Sequence, residues 1–234
     1  MHDILRLSTM AGNRCSSLLQ GSMMLEQVIK FFVVFFVVVE PVSLAPVFAG
    51  LTEGASDAYK RKMSLKAALV AAGILLLFAL TGAAFLRIMG ISIDAFRIFG
   101  GLLLFLMALE MVFARESGTR TSSDEQAESK RRADISVFPL AFPLLAGPGA
   151  LTTILLWFGP VLVTEQPVLF SGLIAAAFAV MVASLLMMRL AGPIMRVMGV
   201  TGANVTNRLL GVVLGALAVQ FVLDGVRAAF KLLG

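Results

Sequence analysis

The stretch "FFVVVEPVSLAPVFAG", residues 35–50, sets an ionisable Glu40 and two prolines, Pro41 and Pro46, inside an apolar run that begins at Phe31. A carboxylate in hydrocarbon costs roughly 3 to more than 10 kcal/mol depending on the scale, so a residue of this kind points to a role in what crosses the membrane. The composition puts the run in a membrane. The 234 residues are 59% hydrophobic and 14% charged, with mean hydropathy +0.96, whereas a soluble domain is about 45–50% apolar and about 25% charged. The net charge of +5 then reports orientation in a lipid bilayer rather than a nucleic-acid partner.

A helix needs about 20 apolar residues to cross the bilayer core, and six such segments follow one another: 25–49, 65–86, 95–114, 136–159, 168–190 and 205–226. Residues 1–24 lack a continuous apolar core and read as a flexible tail, or as a start placed too early with Met23 or Met24 the true one. Between the third and fourth spans, "RESGTRTSSDEQAESKRRAD" (115–134) is charged and without large apolar residues, the composition of a solvated linker. It divides the chain into a first half, 25–114, and a second, 135–234. Of the 19 Lys and Arg, twelve follow spans one, three and five and seven lie on the opposite side. The positive-inside rule therefore predicts a cytoplasmic linker, both termini outside, and residence in the inner (plasma) membrane.

The halves echo each other. "EPVSLAP" (40–46) and "FPLLAGP" (142–148) share a Pro-x4-Pro spacing within the first span of each half, and "RIFGG" from Arg97 and "RLLGV" from Arg208 share Arg-x-x-Gly at the third. Three spans is an odd number, so a tandem copy inserts upside down. The expected fold is all-α and polytopic, six transmembrane helices in two inverted three-helix repeats, the first helix of each broken at Pro and Gly. Such repeats are a signature of secondary transporters.

The candidate site follows from the breaks. Pro41 and Pro46, and Pro143 and Pro148 with Gly147 and Gly149, delete backbone donors and are expected to break or kink their helices. Broken backbone is tolerated in a membrane only when buried in protein or lining a polar cavity. The freed groups suit a small zwitterion, helix N-termini facing its carboxylate and C-termini its ammonium. Glu40 could bind the ammonium or take up a proton during the cycle, or serve only as a structural plug on backbone freed by Pro41. Ser43, Thr152 and Thr153 follow the breaks; their hydroxyls face a substrate or bond their own helices with about even weight. Gln220 and Asp224 share a helix face, with Asp224 a possible coupling carboxylate or a group that meets Arg227 or water. The glycines at 100–101 and in "GVVLGALA" (211–218) read as close-packing positions.

Catalysis is not expected. The sequence has no phosphate-binding G-x-x-x-x-G-K-[ST] loop, and its one histidine, His2, and one cysteine, Cys15, leave no nucleophile–histidine pair, zinc site or disulfide framework. No metal or organic cofactor is expected beyond a coupling H⁺ or Na⁺.

The segments "EPVSLAPVF", "GISIDAFRIFGGLLLFLMALEM", "FPLLAGPGALTTIL" and "LAVQFVLDGV" resemble the MarC family of bacterial and archaeal inner-membrane proteins, from about Met24 to about Lys231. The family's early pattern reads Asn or Asp, Pro, x, Gly, Asn, x, Pro; here Pro41 and Pro46 are kept, Glu40 is longer, and Ser43 and Leu44 replace the Gly and Asn. The resemblance implies two inverted halves of three spans and movement of small neutral amino acids such as glycine or alanine, through a site the replacements make narrower or differently coupled. The competing readings are a non-transporting membrane scaffold or complex subunit and, behind it, a small-solute channel.

Overall fold

The computed structural model describes residues 2–113, 134–161 and 164–231, with side chains described from residue 21 onward. The described residues are mostly helical, joined by short turns, and include no strand. The first span is two helices, α1 (His2–Val39) and α2 (Pro41–Leu51), and α3 (Asp57–Ile88) and α4 (Ile93–Phe113) follow. The second half begins with α5 (Ser136–Leu145) and α6 (Pro148–Phe158), then α7 (Pro167–Arg189) and α8 (Ala191–Lys231). Five helices are long and apolar enough to cross a membrane, or six when the pair α5–α6, bent by 55°, forms one span. The linker 115–134 lies outside the described residues except for Asp134.

Local chemistry sets the element ends. Ser56 caps α3, its hydroxyl accepting the Tyr59 amide at 3.3 Å. The same helix ends in a turn where Gly90 takes φ 69° and Ile91 N–H returns to the Leu86 carbonyl at 2.9 Å, a left-handed cap that favours glycine. α5 is wound in wide turns, with Ala146 N–H bonded five residues back to Ala141 at 2.8 Å. Phe138 and Phe142 are extended within it, each before a cis proline, Pro139 and Pro143. Gly199, at φ 61°, turns the chain between the first residues of α8 and the long apolar run 204–230.

Each element packs chiefly on the other half. α1 and α2 lie on α7, α5 and α6 on α3, α2 on α8, α6 on α4, α3 on α7 and α4 on α8. Each of these pairings has its counterpart when the halves are exchanged, whereas α1 on α6, α1 on α8 and α7 on α8 have none of comparable extent. α4 and α8 run antiparallel through glycines, as expected from sequence. A Cβ on Gly211 would lie 2.8 Å from Met111 Cβ, one on Gly101 2.8 Å from the Ala218 carbonyl oxygen, and one on Gly225 2.8 Å from Ile98 Cγ1. Small residues let backbones approach where no hydrophobic force drives helices together in lipid. Outward-facing Leu77, Leu80, Phe99, Phe178, Leu209 and Val212 are more than half exposed, the apolar surface that hydrocarbon covers.

The expectation for Pro46 is corrected. It lies inside α2, which runs unbroken from Pro41 to Leu51, and the interruption falls at Glu40. Pro41 and Pro148 each occupy the first turn of a new helix, where a missing N–H and a fixed φ are tolerated. A proline deeper in the helix removes one bond without ending it when surrounding helices hold the backbone.

Candidate functional site

Glu40 is the residue between α1 and α2. Its backbone is left-handed, φ 51° and ψ 63°, the one such non-glycine among the described residues, and a side chain there costs about 1–2 kcal/mol. Its N–H still closes α1 on the Phe36 carbonyl at 3.0 Å, and its own carbonyl accepts the Ser43 N–H at 3.1 Å. One residue therefore leaves the helical conformation while both of its backbone groups stay bonded, and α1 and α2 together form one span, 21–51. The side chain is 1% exposed.

Ser43, on the first turn of α2, stands over that carboxylate. Its hydroxyl lies 3.3 Å from Glu40 Oε2 and 2.7 Å from Asn207 Oδ1 on α8. Asn207 was missed from sequence, because a polar residue next to Arg208 at a span's edge reads as an interfacial flank. The neighbouring polar run "NVTN" (204–207) was the available signal.

The second break lies beside the first. Gly147 precedes α6 with Pro148 in its first turn, and a Cβ on Gly147 would sit 2.2 Å from the Pro143 carbonyl oxygen, so only glycine fits. A Cβ on Gly149 would lie 3.2 Å from Val38 Cγ1, two residues before Glu40, and 2.9 Å from Leu104 Cδ2. Leu44 and Ala45 of α2 share one buried apolar cluster with Leu145, Ala146 and Ala150. The C-terminal end of α1 and the N-terminal end of α6 thus lie together, with opposite dipole poles side by side.

The remaining candidates divide. Thr153 is fully buried and donates to the Gly149 carbonyl at 2.9 Å, so its hydroxyl bonds its own helix. Thr152 turns its methyl onto α4, where a Cβ on Gly100 would fall 2.0 Å from Thr152 Cγ2. Pro46 and Pro143 are half-buried. Asp224 accepts from Gln220 Nε2 at 2.8 Å and sits 17 positions along α8 from Asn207, about 25 Å away at helical rise. It is not brought to the Glu40 cluster.

Where α5 begins, Asp134 pairs with Lys66 of α3 and takes the Ser136 hydroxyl and N–H. The hydrogen bond from Lys66, then those from Ser136, hold the Asp134 carboxyl well below the usual carboxylate range.

Comparison with known proteins agrees with this architecture. Residues 25–230 match the family described as MarC family integral membrane protein. The chain is 36% identical over 202 residues to the UPF0056 membrane protein YhcE of Escherichia coli (strain K12), covering 86% of this chain and 92% of that one. It is 36% identical over 204 residues to a UPF0056 membrane protein of Aquifex aeolicus, covering 87% and 94%. The UPF0056 membrane protein YvbG of Bacillus subtilis is 33% identical over 213 residues, covering 90% and 99%. No solved structure matches. With most of its length matched and its described spans polytopic and apolar, the chain belongs to the MarC family and is a multi-pass integral membrane protein.

Proposed function

We propose that the chain is a secondary transporter of small neutral amino acids, of the glycine or alanine kind, in the plasma membrane. The two halves, 25–114 and 135–234, act as inverted repeats that rock about a site at the paired breaks. The observation that carries this reading is the buried Glu40 carboxylate at one helix break with the glycine-cut start of α6 beside it. The main helix pairings, which recur when the halves are exchanged, and the antiparallel α4 and α8 support the inversion.

The chemistry suits a zwitterion. Glu40 and the terminal carbonyls of α1 offer acceptors to an ammonium, and the first amides of α6 offer donors to a carboxylate. Ala45, Ala146 and Ala150 are small, buried members of one apolar cluster, which favours a substrate with a hydrogen or methyl side chain over a large one. Coupling to H⁺ has a route through Glu40, Ser43 and Asn207. With Glu40 protonated, the acid donates to the Ser43 oxygen and the Ser43 hydrogen goes to Asn207 Oδ1. With Glu40 ionised, Ser43 turns its hydrogen to Oε2, and Asn207, its amide turned over, donates to Ser43. Proton occupancy then changes the polarity of a contact between the halves. Carbonyls freed at the breaks provide the alternative, Na⁺.

The test is counterflow of labelled alanine and glycine into proteoliposomes holding wild type or Glu40→Gln, with and without H⁺ and Na⁺ gradients. Flux is expected in the wild type and is expected to be lost or gradient-insensitive in the variant. Wild-type behaviour in the variant would make Glu40 a structural plug. Absence of flux in the wild type would favour a scaffold or complex subunit.

A further inference from the structure

At one end of the spans, where α2 stops, α3 starts and α7 gives way to α8, the structure encloses a cavity of about 770 Å³. Its floor is apolar, formed by Phe48 and Met188, both nearly fully buried. Around it stand four cations from three helices, Lys60 and Arg61 of α3, Arg189 of α7 and Arg196 of α8, against one carboxylate, Asp57. None of the four forms an ion pair with another described residue.

Basic residues at span ends ordinarily report orientation and stand apart in water. Here they converge on one concavity of the size that holds a whole ligand, where an anion between them would relieve their mutual repulsion more than water alone. A zwitterionic amino acid brings a single carboxylate and its own ammonium, and would need far less room. A phosphate group brings up to two charges and several acceptor oxygens, the partner that planar guanidinium forks fit best. A basic recess between helices at the membrane boundary is where anionic headgroups are within reach.

We propose that this cavity binds a phosphate group, carried by an anionic phospholipid headgroup or by a soluble phosphate ester. The site is separate from the Glu40 cluster and does not depend on the transport reading.

The test follows thermal unfolding of the full-length protein in a non-ionic detergent during titration with short-chain phosphatidylglycerol, a diacylglycerol of equal chain length, inorganic phosphate, and sodium chloride at matched ionic strength. Ligand bound to the folded state alone raises the midpoint. Stabilisation by phosphatidylglycerol alone identifies the headgroup as the source, and stabilisation by inorganic phosphate as well shows that the free group suffices. In either case Arg61→Gln/Arg196→Gln is expected to weaken apparent affinity by about tenfold or more. Lys62→Gln/Arg87→Gln, with the same charge change outside the cavity, is expected to leave it unchanged. The proposal is overturned if neither phosphate compound acts beyond its phosphate-free control, or if both double variants weaken binding equally. Should the cavity variant fail to fold, Arg196→Gln alone and the wild-type selectivity decide.

Discussion

The Ser43 hydroxyl and the Asn207 side-chain oxygen, 164 positions apart in the chain, lie 2.7 Å from each other. The contact joins the first span to the last helix, and with the same hydroxyl 3.3 Å from Glu40 Oε2 it sets the carboxylate one hydroxyl away from the other half. Ser43→Ala and Asn207→Ala are each expected to lower stability by about 1 kcal/mol, and the double variant by no more than either. Thermal unfolding of the three variants measures this, and fully additive losses would show that the two side chains act independently.

The left-handed backbone of Glu40 separates its conformational role from its chemical one. Glycine adopts φ 51° without a Cβ penalty and a β-branched side chain does not. Glu40→Gly is therefore expected to keep a monodisperse, folded peak on size exclusion while losing amino acid counterflow, and Glu40→Val to lose folded yield. Equal yield for both variants would mean that the break does not depend on the residue at its centre.

Much of this architecture is legible in the sequence, and the exceptions have physical causes. Glu40, the Pro-Gly break at 147–149 and the small residues of α4 and α8 stand out because polar or helix-breaking groups are conspicuous in an apolar run. Pro46 misleads. A proline inside a helix looks like a terminator from sequence, yet tertiary packing carries α2 past it. Asn207 is hidden because its value lies in meeting Ser43 across the fold, and nothing local to residues 204–208 records that meeting. The basic cavity is hidden likewise, since Arg61, Arg189 and Arg196 read as ordinary flanking charge until three helices bring them together.

The α4–α8 contact gives a paired test of close packing. A Cβ at Gly101 would press to 2.8 Å on both the Ala218 oxygen and Val222 Cγ2, whereas one at Gly50 meets nothing within 4 Å. Gly101→Ala is expected to destabilise by about 1–3 kcal/mol, and Gly50→Ala, within helix α2, to be neutral or stabilising by up to about 1 kcal/mol. Thermal midpoints in detergent compare them directly. An unchanged midpoint for Gly101→Ala would show that the helices can part without loss.

Asp134 supplies a pH dependence with a definite sign. Its folded-state carboxyl is held below the ordinary value of 3.8 by Lys66 and Ser136, so the unfolded chain binds the proton first as pH falls. The stabilisation is complete above about pH 4 and is lost progressively below it. Both partners are nearly half exposed, at 46% and 45%, and solvent screening limits the pair to at most about 1 kcal/mol. Asp134→Asn should therefore lower the unfolding midpoint slightly at pH 7, with the gap to wild type narrowing as pH falls below about 4 and closing only below the depressed folded-state value. A gap that does not narrow between pH 5 and pH 2 would assign the effect to Ser136 packing rather than to charge.

The inversion of the halves can be tested without measuring transport. α4 and α8 are third in their halves and antiparallel, with Gly101 opposite Ala218 and Gly211 opposite Met111. If both cross the membrane, the end of α4 and the end of α8 face opposite sides. The excess of Lys and Arg after the first, third and fifth spans predicts that the end of α4 faces the cytoplasm. A periplasm-active reporter fused after Gly234 is then expected to be active, and the same reporter inserted in the linker 115–134 inactive. Activity at both positions, or at neither, would put the ends of α4 and α8 on one side, remove the basis for two inverted halves, and leave the paired helix breaks without a symmetry to relate them.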